Sequence, residues 1–132
     1  TIEATVNAPV DKVWKCWTTP GDIMAWNHAS DDWHCPKASN DLRAGGVFSS
    51  TMAARDGSFS FDFEGIYDEV RLHEVIAYTL GDARKVITTF ESRGDQTHIV
   101  TTFEAEETNS LEMQRGGWQA ILNNFKSYTE GA

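Results

Sequence analysis

Two hydrophobic periods divide this 132-residue chain. From Trp26 to about Ala105 apolar and polar residues alternate, the period that marks strands with one face buried. On either side the period lengthens to that of a helix. The clearest helical stretch runs from Asn109 to about Thr129. There Leu111, Trp118, Ile121, Leu122, Phe125 and Tyr128 share a stripe about 120° wide, with Glu112, Gln119, Asn123, Lys126 and Glu130 opposite. Thr108 or Asn109 is placed to cap the start, and Glu112 follows Asn109 in the manner of a capping box. Gly131 lies just past the predicted end.

The first residues alternate as well, Ile2, Ala4 and Val6 marking a strand over Thr1–Asn7. Pro9 then suits the first turn of a helix, and Val10, Val13, Trp14 and Trp17 keep helical spacing up to Thr18. Thr19-Pro20 repeats the start signal for a second short helix that buries Ile23 and Trp26. The alternating region resolves into strands at about Trp33–Asn40, Gly46–Ala54, Phe59–Val70, Val75–Leu80, Lys85–Ser92 and Gln96–Ala105. Turn chemistry separates them: Gly45-Gly46, Asp56-Gly57, Gly81-Asp82 and Arg93-Gly94-Asp95. Loops this short require antiparallel neighbours.

The predicted order is strand, two helices, six strands, long helix, an α+β arrangement. A seven-stranded antiparallel sheet has one face to bury and one long helix to cover it. Curvature lets the sheet wrap that helix, with Gly45, Gly46 and Gly65 as bends or bulges. The two short helices then close one end and leave a pocket at the other. Gly116 and Gly117, inside the long helix, cost together about 2 kcal/mol relative to alanine. Either another backbone approaches them closely, or their missing side chains leave volume for something else.

This order of elements, with Trp14, Trp17, Pro20, Trp26 and Asp41-Leu42-Arg43-Ala44-Gly45-Gly46, resembles the START-like (SRPBCC) superfamily. Asp56-Gly57, Gly65, Tyr78-Thr79 and Gly117-Trp118 add to the likeness. Within that superfamily the chain is most similar to the bacterial branch named after the activator of the ninety-kilodalton heat-shock-protein ATPase. The resemblance covers essentially the whole chain and implies a single helix-grip domain over residues 1–132. That fold hosts lipid carriers, hormone receptors, aromatase/cyclases and binders of no known ligand. The family name implies a chaperone partner.

Charge narrows the partners. The net charge of −9 repels phosphate backbones and anionic headgroups, which argues against nucleic acid and membrane insertion. Two cysteines, Cys16 and Cys35, have neither zinc spacing nor a disulfide framework. No signal peptide or long apolar run is present, so a cytoplasmic protein is the expectation. A homodimer is left open.

Chemistry-bearing groups concentrate in Trp26-Asn27-His28-Ala29-Ser30-Asp31-Asp32-Trp33-His34-Cys35-Pro36. Strand alternation sends His34 and Cys35 to opposite faces, and no second ligand cluster appears, so no metal is expected. His34 with Asp31 or Asp32 has the makings of an acid–base pair, without a nucleophile motif beside it. That supports, as the alternative, a cyclase- or hydrolase-type enzyme. The leading expectation is cofactor-free binding of a small apolar or aromatic ligand between sheet and helix. Trp26, Trp33, His34, Phe48, Phe61, Phe63, Tyr78, Phe90, Met113, Gly117 and Trp118 are its expected contacts, with Phe103 also on the concave side. Arg43 and Arg84 read as surface or strand-end charges.

Overall fold

The computed structural model describes residues 1–28, 30–105 and 110–131. Its elements are β1 (Ile2–Val6), α1 (Val10–Thr18), α2 (Pro20–Trp26), β2 (Trp33–Asn40), β3 (Val47–Ala54), β4 (Ser60–Arg71), β5 (Val75–Leu80), β6 (Lys85–Arg93), β7 (Gln96–Phe103) and α3 (Leu111–Gly131). One curled antiparallel sheet runs in the order β1-β7-β6-β5-β4-β3-β2 and wraps α3. From β2 to β7 each strand pairs with the next in sequence; β1 returns to the edge beside β7. The tight Asp56-Gly57 reversal forms as its composition dictates, with Gly57 at φ 77°.

Local details depart from the sequence reading at several points. Thr19 occupies the N-cap of α2 but makes no side-chain capping bond. Thr108 and Asn109, the expected caps of α3, lie outside the described residues. Ser110 does that work: its hydroxyl accepts the Met113 N–H at 3.1 Å. Gly131 is the last helical residue rather than the one beyond it. Leu111 sits on the apolar stripe by angle, yet it is 71% exposed, as the first residue of the helix.

Gly45 and Gly46 form the bend expected of them: Gly45 stands at φ 83°, its N–H donates to the Tyr67 carbonyl at 2.8 Å, and the Gly46 carbonyl accepts the Tyr67 N–H at 2.9 Å, two residues against one. Register shifts lie between His34 and Lys37 and between Tyr67 and Glu69. The first contains Pro36, which has no N–H to give to a ladder and is tolerated on the edge strand β2. Gly65 serves a different purpose. A Cβ there would lie 2.7 Å from the Phe48 ring and 2.9 Å from the Thr79 carbonyl oxygen, so glycine lets Phe48 lie flat across β4.

The solid part of the core gathers where α1 and α2 meet α3. Phe125, fully buried, has its ring 4.7 Å from Trp17 and 5.0 Å from Trp26. Phe90 stands between Trp14 and Trp17 at 5.3 and 5.5 Å. The Trp26 indole N–H, which would be costly to bury unpaired, donates to the Cys16 carbonyl at 2.9 Å. Polar ties hold the same end of α3. The Tyr128 hydroxyl bonds Asp22, Asn124 donates to the His28 carbonyl, and Glu130 accepts the Asn7 N–H at 2.8 Å.

Replacing Gly65 with alanine should therefore destabilise the protein by about 1–3 kcal/mol, because the Thr79 carbonyl belongs to a sheet backbone that cannot yield. Chemical unfolding of the variant measures this, and a neutral result would mean that the strands adjust freely.

Candidate functional site

Toward its N-terminal end α3 stands off the sheet. The space enclosed is a cavity of about 390 Å³, within the range of small-molecule sites. From the sheet, Phe48 and Met52 of β3, Phe61, Phe63 and Tyr67 of β4, and Ile76 and Tyr78 of β5 form its wall. From α3, Met113, Gln114, Gly117, Trp118, Ile121 and Leu122 form the roof, and Trp17, Ile23 and Trp26 close the end under the short helices. Phe48 organises the wall, its ring 4.7 Å from Tyr78 and 5.1 Å from Tyr67. Trp118 is held by Phe103, stacked at 4.6 Å and 10°, with Phe63 edge-on at 5.9 Å.

The two readings of the helical glycines separate here. A Cβ at Gly116 or Gly117 would meet nothing within 4 Å. Gly116 is exposed, and Gly117 lines the cavity. The missing side chain leaves open volume in the roof rather than room for a touching backbone.

Of the residues expected at the site, Trp26, Phe48, Phe61, Phe63, Tyr78, Met113, Gly117 and Trp118 line the cavity. Met113 and Phe61 do so at its mouth, being 68% and 44% exposed. Trp33, His34 and Phe90 are not among the lining residues. Trp33 stands one ring away, packed edge-on against Phe59 and Phe61 at 6.1 and 6.0 Å. Phe90 has the right strand face but is covered by α1. His34 pairs in register with Ala53, its Nδ1 is buried without a hydrogen-bond partner, and it makes no ion pair with Asp31 or Asp32. The acid–base pair is therefore not assembled, and among the described residues no carboxylate lines the cavity. Cys35 is buried and free, its thiol donating to the Lys37 carbonyl at 3.3 Å.

The polar part of the lining escaped the sequence reading: Asn27, Ser39, Asn40, Ser50, Tyr67, Arg84, Thr88, Thr101 and Gln114. Parity was the available signal for several of them. Ser50 shares a face with Phe48 and Met52, Tyr67 with Phe63, and Arg84 and Thr88 with Val86 and Phe90. Gln114 sits on the helical stripe, four residues before Trp118. Arg84 is thus a cavity residue rather than a strand-end charge, whereas Arg43 is exposed and paired with Asp41 at 2.9 Å.

Two pairs among these polar groups bond each other. The Tyr67 hydroxyl donates to Asn40 Oδ1 at 2.5 Å, and Asn40 Nδ2 donates to the Thr18 carbonyl at 2.7 Å. The Thr88 and Thr101 hydroxyls pair at 2.9 Å. Burial pushes the Tyr67 phenol up to about 12, against the pull of its Asn40 bond. Burial and the neighbouring Tyr67 raise Tyr78 further, with Arg84 opposing.

Fold and site together define a helix-grip protein with an internal cavity. A family model described as Activator of Hsp90 ATPase homolog 1-like protein matches residues 7–130, and the chain belongs to that family. Folds of this kind commonly bind hydrophobic ligands. A solution structure of a protein from Cytophaga hutchinsonii is 58% identical, with 98% of this chain and 90% of that one aligned at a TM-score of 0.84. The AHSA1-like protein from Aeromonas hydrophila is 36% identical over 98% of this chain and 92% of its own, with a TM-score of 0.88. A crystal structure of a protein from Chromobacterium violaceum shares the fold at a TM-score of 0.87 and 21% identity, covering 98% and 95% of the two chains. A search of curated proteins finds no match. No described helix is long and apolar enough to cross a membrane, and no described group of three metal-ligating side chains occurs.

Two outcomes are expected from this geometry. Gly117→Ala should stabilise by about 1 kcal/mol, the gain in helix propensity where a methyl group has room; a loss of similar size in denaturant unfolding would show hidden close packing. The second concerns alkaline pH. All three tyrosines have raised values, Tyr128 to about 12 through its bond to Asp22. Unfolded phenols titrate near pH 10, so this stabilisation is complete below about pH 10 and is lost as pH rises toward the folded values. Phenolate absorbance should accordingly appear together with the loss of near-ultraviolet circular dichroism. Ionisation near pH 10 in a still-folded protein would contradict it.

Proposed function

We propose that this protein binds one small apolar or aromatic molecule in the cavity between the sheet and α3, without a fixed cofactor. The observation that carries the reading is the open volume under Gly117, walled by Phe48, Phe63, Tyr78 and Trp118. A protein interior normally fills such space, because unfilled volume forgoes dispersion contacts with every atom around it. Here a helix carries a glycine that leaves the space open despite the cost in propensity. Aromatic rings on both wall and roof suit a flat or elongated apolar body, and Tyr67 with Asn40 and Thr88 with Thr101 already spend hydrogen bonds on each other. Binding and sequestration follow more directly from this lining than bond cleavage, since no acid–base pair faces the space.

The neutral dye N-phenylnaphthylamine offers a direct check. It should bind at one site per chain and quench tryptophan emission, because Trp17, Trp26 and Trp118 all line the cavity. Gly117→Leu should keep the fold and weaken binding at least about tenfold by filling the roof, a difference of about 1.4 kcal/mol. Saturable quenching that Gly117→Leu leaves untouched would place the dye elsewhere and remove the support for this reading.

A further inference from the structure

The aromatic row of β4 is longer than the cavity it lines. Phe59, Phe61, Phe63 and Tyr67 alternate onto the concave face, a run of about 26 Å at the rise of a strand. Their exposure falls steadily inward: Phe59 is 59% exposed, Phe61 44%, Phe63 half-buried and Tyr67 8%. The last three line the cavity, and Phe59 does not. Trp33, also outside the lining, meets the outer end of the row, its ring 6.1 Å from Phe59 and 6.0 Å from Phe61, with the two phenylalanines 6.1 Å apart. Backbone register explains the meeting. Trp33 pairs with Ala54, whose N–H donates to the Phe59 carbonyl at 2.9 Å. Strands two apart in a sheet are separated by about 9.6 Å, so the Trp33 and Phe59 rings lean together over the small Ala54. Phe61 belongs to both groups, which makes the aromatic surface continuous from the cavity out through its mouth, where Met113 of α3 also stands.

Folding gives little account of this outer cluster. A phenylalanine as exposed as Phe59 removes little apolar surface from water, and Asp56-Gly57, with Gly57 at φ 77°, already sets the reversal beside it. Exposed apolar groups that adjoin a pocket mark surface that a ligand covers. Resting on the binding reading above, we infer that the binding site continues past the cavity mouth onto Phe59 and Trp33, and that its ligand is a long-chain apolar molecule. The inner part of the chain fills the space between Phe48, Phe63 and Trp118. The outer part crosses Phe61 and lies on the Trp33–Phe59 surface, which a compact molecule held wholly inside the cavity leaves bare.

Two neutral probes of different length separate this inference from the reading beneath it. N-phenylnaphthylamine is compact and reports on the cavity. Octaethylene glycol monohexadecyl ether, used below its micelle concentration, carries a long uncharged chain, and displacement of the dye measures its binding. Each methylene removed from water contributes roughly fourfold in affinity, so the hexadecyl ether should bind far more tightly than the decyl ether. Phe59→Ala should weaken the hexadecyl ether about tenfold and leave the dye bound as before. Phe59→Leu, which keeps an apolar side chain there, should retain most of the affinity. Melting temperatures verify that both variants fold. A hexadecyl ether that binds no better than the decyl ether, an unchanged hexadecyl affinity in Phe59→Ala, an equal loss for ether and dye, or a leucine variant as impaired as the alanine one would overturn the inference while leaving cavity binding intact. If the dye itself does not bind the wild-type protein, the binding reading falls and the inference falls with it.

Discussion

Everything distinctive in this structure follows from where α3 is held and where it is not. Phe125 is wedged between Trp17 and Trp26, and the same two indoles belong to the short helices that plug one end of the sheet. Aromatic rings in edge-on contact combine large buried area with geometric preference, so this junction sets the angle at which the helix crosses the sheet. The hydrogen bonds from Tyr128, Asn124 and Glu130 act on the same half. The N-terminal half is held more sparsely, through the Trp118–Phe103 stack and the Gln119 side chain on the Glu3 carbonyl. A helix is stiff over this length, so fixing one half positions the other at a distance that its side chains must bridge or leave open.

Gly117 leaves it open. Across from it, the aromatic residues of β3, β4 and β5 interlock among themselves, with Phe48 lying over Gly65 and touching both Tyr67 and Tyr78, while Phe63 reaches the helix edge-on at Trp118. The wall is thereby rigid without needing the roof to support it. Rigidity matters for recognition, because a preformed site spares an incoming molecule the cost of ordering side chains. The polar groups obey the same logic. Tyr67, Asn40 and the Thr88–Thr101 pair satisfy one another, which keeps them from demanding a particular partner. Arg84 differs in being a charge, and its partner Asp82 stands on the water side of the wall.

The order and nature of all ten elements were legible in the sequence, and strand and helix limits fall within one or two residues of the alternation and turn signals. Local physics suffices for that: the period of burial names the element, and glycine, proline and Asp-Gly end it. The cap of α3 shows the limit of such reasoning, since Ser110 and its neighbours are all residue types that cap helices, and composition does not choose among them. Phe90 and Phe63 show a deeper limit. Both alternate correctly onto the concave face, yet one is sealed beneath α1 and the other faces the cavity. Parity tells which side of a sheet a residue takes, not what stands above it.

Sequence alone therefore determined the curved sheet, the covering helix, the plugged end and the aromatic character of the interior. It also carried the signal that Gly117 is anomalous in a helix, without its meaning. Only tertiary structure decided that this glycine borders open space, that His34 makes no ion pair with Asp31 or Asp32, and that Arg84 belongs to the cavity lining. The reason is geometric. Periodicity encodes the direction of each side chain relative to its own backbone, whereas a cavity is defined by the distance between two surfaces. That distance depends on how residues far apart in the chain, Trp17, Trp26 and Phe125 above all, pack against one another.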